Sequence, residues 1–141
     1  GAFQKTHNVI LGLNEKEALH VADVLELGVG NDDSKSREQN MMDLASGIRA
    51  ALDIKVCVVH PTQFAAAANA EGAAVVQGPY VEKPKISTGA GDHFNAGFCT
   101  GQILGADLEQ SLQMGVGTSG YYVRNAQSPT AQQLAEFLET L

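Results

Sequence analysis

At 141 residues, 44% hydrophobic and 18% charged, the chain has the length and apolar content of one globular domain able to bury a sizeable core. A formal net charge of −7 argues against nucleic acid or an anionic membrane as the main partner, since both select a basic face. An acidic chain can still bind a nucleotide phosphate through backbone N–H groups and a metal ion. The two cysteines, Cys57 and Cys99, lie far apart with no Cys-x-x-Cys spacing, so neither a disulfide framework nor a zinc site is expected. The N-terminal residues lack a basic region followed by an apolar core, and no apolar run approaches the roughly 20 residues that span a bilayer. A cytoplasmic protein is the plain expectation, neither exported nor embedded.

In chain order, Asn8 to Leu13 is a short apolar run with the character of a buried strand of a parallel sheet. Asn14 then stands as an N-cap with Glu17 three residues on, and Ala18, Leu19, Val21, Ala22, Val24 and Leu25 supply the apolar face of a first helix. Gly28 to Ser36 is rich in Gly, Asn, Asp and Ser and reads as a loop, in which Asp32 and Asp33 are most simply solvated. Met41, Leu44, Ala45, Ile48 and Ala51 recur at helical spacing and predict a second helix from about Ser36 to Leu52. Ile54 to Val59 is another buried strand, stopped by Pro61. The segments Phe64 to Ala70 and Ala73 to Gln77 are expected to form a hairpin, although Ala65 to Ala68 also has high helix propensity. Gly78 to Lys85, with Pro79 and Pro84, is a connection. Three helices should follow, from about Gly89 to Leu104, Leu108 to Val123 and Thr130 to Leu141; in the first, Gly97 and Gly101 allow a neighbour to come close. This order implies an α/β layered fold.

Thr88-Gly89-Ala90-Gly91-Asp92 sits at the head of the first of these three helices. Glycines let the backbone turn tightly beside an anion, and the first N–H groups of a helix have no intrahelical partner. Asp92 in the same turn can accept a proton from a hydroxyl brought within about 3 Å. His93 is adjacent, but neighbouring helical residues face different ways, so it is expected to be exposed or packed. His7 and His20 show no metal-ligand spacing. Neither a Walker P-loop nor a Gly-x-Gly-x-x-Gly fingerprint is present.

The Gly-Ala-Gly-Asp head, continuing through Phe94-Asn95-Ala96-Gly97-Phe98, resembles the active-site signature of the ribokinase-like (PfkB) family of sugar and nucleoside kinases. The resemblance implies a ribokinase-like three-layer α/β/α fold, of which this chain looks like the C-terminal portion, since family members run to about twice this length. It implies ATP and Mg2+ as cofactors, a sugar-like alcohol as acceptor, Asp92 as catalytic base and the backbone of Gly89, Ala90 and Gly91 as anion hole, with Thr88 at the nucleotide. Asn14 and Glu17 match an Asn-x-x-Glu motif that organises magnesium through waters, and they equally match a capping box; both can hold together. A Thr-Leu-Gly-x-x-Gly-like turn is expected after the strand ending near Val59, where the chain instead reads His60-Pro61-Thr62. There His60 and Thr62 either donate to the nucleotide phosphates or face solvent. Gly115 to Gly120 falls where the family's helix borders adenine, and Gly115 and Thr118 either admit the ring or serve helix packing. Ile86 replaces a usual acidic residue, which puts potassium activation in doubt. A chain of this kind is expected either to lack an N-terminal substrate half or to associate with a second copy, because its first strand leaves an unpaired sheet edge. The alternative reading is a nucleotide- or phosphate-binding fragment or module without catalysis.

Overall fold

The computed structural model describes residues 2–141. It divides into two compact units, one made of the residues up to Pro61 with Ala66–Val75, the other of Thr62–Ala65 with Val76–Leu141.

The first unit opens with a 3-10 turn at Phe3–Lys5, which the sequence reading did not anticipate, and continues through β1 (Ile10–Leu13), α1 (Glu15–Val24), α2 (Arg37–Leu52) and β2 (Val56–Val59). Strand β1 runs parallel to β2, with Ile10 opposite Val56 and Leu13 opposite Val59. All four residues of β2 are buried, as befits a Val-rich apolar run in the middle of a sheet. Helix α2 is capped by Ser36, whose hydroxyl accepts the N–H of Gln39, and turns Met41, Leu44, Ala45 and Ile48 inward. Leu44 and Ile48 are fully buried. This helix ends where Asp53 adopts a left-handed conformation at φ 50°.

Strands β3 (Phe64–Ala68) and β4 (Ala73–Gln77) complete a four-stranded sheet in the order β1-β2-β3-β4, with β3 antiparallel to β2. The hairpin expectation holds, so pairing overrides the helix propensity of the alanines; every residue of β3 is buried. The strand stops two residues earlier than expected because Asn69 turns the chain: its side-chain carbonyl accepts the N–H groups of Glu71 and Gly72. The outer side of β1 pairs with no strand among the described residues.

In the second unit, α3 (Ala90–Ile103) and α4 (Leu108–Asn125) lie against each other, and α5 (Ala131–Leu138) rests on α4. A Cβ on Gly97 would come within 2.5 Å of the Met114 carbonyl oxygen, and one on Gly101 within 2.9 Å of Ser111 Cα, so the absence of side chains is what permits the α3–α4 approach. Phe94 and Phe98 are buried and stack at 6.3 Å on the same face of α3. Helix α5 is shorter than expected: Thr130 is its N-cap, in a capping box with Gln133, and its last turn is succeeded by a Thr140 N–H to Phe137 carbonyl bond. Among the described residues no helix is long and apolar enough to cross a membrane.

Candidate functional site

In the second unit, the start of α3 is set by Gly89, which takes φ 87° and ψ 0° as N-cap and offers no side-chain cap. That left-handed conformation suits glycine, and a Cβ there would also meet the Tyr122 hydroxyl at 3.3 Å. The Ala90 N–H donates to the Ser87 carbonyl at 3.1 Å, and the His93 N–H to the Gly89 carbonyl at 3.1 Å. Between them the N–H groups of Gly91 and Asp92 have no acceptor among the described residues, the ordinary state of a first helical turn. Asp92 is exposed in that turn, as is Thr88 just before it. The arrangement therefore offers two backbone donors, the positive end of a 14-residue helix and a solvent-accessible carboxylate within one turn.

Two side chains that sequence reasoning did not assign to the site hold this turn. The His93 ring stacks on Tyr122 at 3.6 Å between centroids and 13° between planes. Its Nδ1 lies 2.8 Å from the Gly89 carbonyl and its Nε2 2.8 Å from Ser128 Oγ. A carbonyl only accepts, so Nδ1 carries the hydrogen. The Tyr122 hydroxyl donates to the Thr88 carbonyl at 3.0 Å, and the Lys85 N–H donates to the Val123 carbonyl at 2.8 Å, tying the segment before Gly89 to α4. His93 is thus packed, one of the two outcomes expected of it; Tyr122 carried no sequence signal.

Gly115 and Thr118 lie inside the packing of the second unit. A Cβ on Gly115 would sit 2.8 Å from the Phe94 ring, and the Thr118 hydroxyl, 8% exposed, donates to the Met114 carbonyl at 2.7 Å. Thr118 also borders a mainly apolar cavity of about 410 Å³, lined among others by Ala96, Thr100, Met114, Leu134 and Leu138. Thr62 is exposed.

In the first unit, the parallel register of Leu13 with Val59 brings out Asn14 and His60 side by side at the carboxyl ends of β1 and β2, the edge at which open α/β sheets bind ligands. The His60 N–H donates to the Leu13 carbonyl at 2.9 Å. Asn14 and Glu17 form the capping box: Asn14 Oδ1 accepts the Glu17 N–H at 2.9 Å, and Glu17 Oε2 accepts the Asn14 N–H at 2.9 Å. Both side chains remain exposed, and Glu17 Oε1 takes no part in the box. The His60 ring is half-buried, and burial lowers its pKa, while the nearby Glu17 charge acts in the opposite direction without prevailing. Asp32 spends its carboxylate on Ser34, whose hydroxyl and N–H hold its pKa down, in keeping with a solvated loop. Among the described residues no group of three or more His, Cys, Asp or Glu side chains is arranged to hold a metal ion. A donor set of one or two oxygens, such as Asn14 and Glu17, fits Mg2+, which keeps most of its waters and takes its other ligands from substrate phosphates.

Comparisons with known proteins extend these observations. A family model described as prokaryotic ketohexokinase matches residues 1–141. The ketohexokinase of Haloferax volcanii is 29% identical over 136 residues, covering 96% of this chain and 34% of its own, so the chain spans about a third of the length of this curated relative. Phosphofructokinase-2 from Escherichia coli, solved in complex with substrates and products, superposes with a TM-score of 0.72 at 19% identity over 94% of this chain and 40% of that one. A candidate ribokinase II of Escherichia coli, in complex with ATP and Mg2+, gives 0.67 at 21% identity over 94% and 39%. These structural likenesses establish part of the ribokinase-type α/β fold, and the match along all 141 residues establishes that the chain belongs to the prokaryotic ketohexokinase family.

Proposed function

We propose that this chain carries the phosphate-handling and proton-accepting part of an ATP-dependent carbohydrate kinase, with a ketohexose as acceptor. The observation that carries the reading is the first turn of α3. Gly89 turns into the helix in its left-handed conformation, and the Gly91 and Asp92 N–H groups of that first turn have no acceptor among the described residues, beside an exposed Asp92 carboxylate. The names of the matching family and of the Haloferax relative support a ketohexose, and the ATP and Mg2+ of the ribokinase II complex support those cofactors.

In this reading ATP supplies the γ-phosphoryl group, with Mg2+ to neutralise its charge. The backbone of Gly89, Ala90 and Gly91 shapes the turn, and the N–H groups of Gly91 and Asp92 receive the transferring phosphate. Asp92 takes the proton of the sugar hydroxyl as its oxygen bonds to phosphorus and the bond to the leaving phosphate oxygen breaks. Thr88, His60 and Thr62 border the nucleotide phosphates, and Asn14 and Glu17 reach the metal through water. Gly115 and Thr118 contribute to the adenine side from within the helix packing.

Asp92→Asn tests the base. General-base removal should lower turnover of fructose by about 10²- to 10⁴-fold while leaving ATP affinity within about threefold. Turnover at the wild-type rate would show the base assignment to be wrong. The second reading, a phosphate-binding module without catalysis, draws on the His60-Pro61 replacement of a glycine turn. It requires ATP with Mg2+ to raise thermal stability, by about 2.7 kcal/mol at a hundredfold excess over Kd, with no phosphorylated sugar formed.

A further inference from the structure

We propose that His93 and Tyr122 are positioning residues for phosphoryl transfer: their stacked rings clamp the carbonyls of Thr88 and Gly89 so that the Gly91 and Asp92 N–H groups stay aimed at the phosphate. The inference rests on the reading of the Thr88–Asp92 turn given above and adds to it two side chains that never touch the reacting atoms.

The argument is geometric. The carbonyls of Thr88 and Gly89 share their peptide planes with the N–H groups of Gly89 and Ala90, the two planes just ahead of the donors' own, so fixing them fixes the direction in which the chain enters the first turn of α3. Each carbonyl is held from α3 or α4. Thr88 receives the Tyr122 hydroxyl at 3.0 Å; Gly89 receives the His93 backbone N–H at 3.1 Å and the His93 ring Nδ1–H at 2.8 Å. Neither ring is free to swing. They stack at 3.6 Å, and His93 Nε2 is engaged by Ser128 Oγ at 2.8 Å, beyond the end of α4. The clamp therefore joins the α3 start, the α4 body and the α4–α5 connection at one point. It also compensates for what Gly89 lacks, because this N-cap has no side chain to stabilise the turn. Donors preorganised toward charge that develops in the transition state affect the chemical step more than ground-state binding, which separates this role from simple packing.

The test uses the gene product carrying residues 1–141, with fructose and ATP–Mg2+ as substrates. Tyr122→Phe deletes one hydrogen bond and keeps the stack. His93→Phe keeps the stack and deletes both ring hydrogen bonds, and His93→Asn restores a donor near the place of Nδ1. Each Phe variant should lose about tenfold in kcat, with both KM values within about twofold and Tm nearly unchanged, and His93→Asn should recover at least a third of the His93→Phe loss. An amide NMR readout needs no turnover: the shifts that ATP with Mg2+ induces at Gly91 and Asp92 should shrink at least threefold in the Phe variants. Unchanged kcat or unchanged amide shifts would overturn the clamp, as would a kcat loss that tracks a fall in Tm. Asp92→Asn run alongside separates the two claims. Turnover lost there but intact in the Phe variants sinks the clamp and leaves the base, whereas turnover retained in Asp92→Asn sinks the reading beneath both.

Discussion

Gly97→Ala puts the α3–α4 interface to a quantitative test. The added methyl would lie 2.5 Å from the Met114 carbonyl oxygen, 2.5 Å from Thr118 Oγ1 and 2.9 Å from Thr118 Cβ. The first neighbour is backbone and cannot rotate away, and Thr118 is held by its hydrogen bond to that same carbonyl. The helices must therefore separate, by about half an ångström merely to reach the 3.0 Å below which real Cβ contacts essentially never occur. Overpacking of this kind costs about 1–3 kcal/mol, and alanine returns about 1 kcal/mol of helix propensity over glycine, so a net loss of up to about 2 kcal/mol is expected. Gly47→Ala in α2 is the matched control. Its methyl would meet only side-chain carbons, Leu27 Cδ1 in ordinary contact at 3.5 Å and Val29 Cγ2 at 3.3 Å, which need give by only a few tenths of an ångström, so the propensity gain should leave it neutral or stabilising by up to about 1 kcal/mol. Urea denaturation followed by far-UV circular dichroism should show a lower midpoint for Gly97→Ala and an equal or higher one for Gly47→Ala, at unchanged slope. Equal shifts in the two variants would refute the close approach of α3 to α4.

Further substitutions report on the edge formed by β1 and β2. Asn14→Ala should cost about 0.5–2 kcal/mol by removing the cap, and Asn14→Ser should restore most of it in thermal melts. Glu17→Gln preserves the capping box and gives up only the charge at the helix start, worth about 0.3–1 kcal/mol; if Glu17 serves the metal, the Mg2+ concentration for half-maximal turnover should rise several-fold, and an unaltered requirement would leave it as a cap alone. Burial holds the His60 pKa below the ordinary 6.5, so as pH falls past that value the unfolded chain takes up a proton that the folded chain refuses. Stability from this group is complete above about pH 6.5, declines as pH drops toward the lower folded value and is level below it; His60→Gln should flatten that part of the stability profile, and a parallel decline in both proteins would refute the assignment.

Much of the fold was legible because its signals are local. The Asn14–Glu17 capping box, the starts of α2 and α5 near Ser36 and Thr130 and the inward face of α2 follow from residue spacing, and the structure places them within a residue or two of expectation. The alanine run at Ala65 to Ala68 was ambiguous for a physical reason. Alanine favours helix in isolation, and the pairing that makes it a strand comes from Cys57 to Val59, several residues earlier in the chain. The turn from Thr88 to Asp92 was equally visible, since glycine spacing before an apolar helix is a local pattern.

What supports that turn was not legible. Tyr122 lies more than thirty residues beyond Thr88, and only the packing of α4 on α3 brings its hydroxyl to the Thr88 carbonyl and its ring onto His93. Likewise, the sequence offered Gly115 and Thr118 equally to a ligand and to packing; the structure shows Gly115 against Phe94 and the Thr118 hydroxyl turned back to Met114, contacts that belong to helices meeting in space. By itself, then, the sequence determined where the helices begin, which faces they bury and where glycine turns the chain into α3, because caps, apolar periodicity and glycine conformations act over a few residues. Tertiary structure alone decided which distant side chains hold that turn still, because hydrogen bonds and ring stacking depend on angstrom-scale placement that no local pattern encodes.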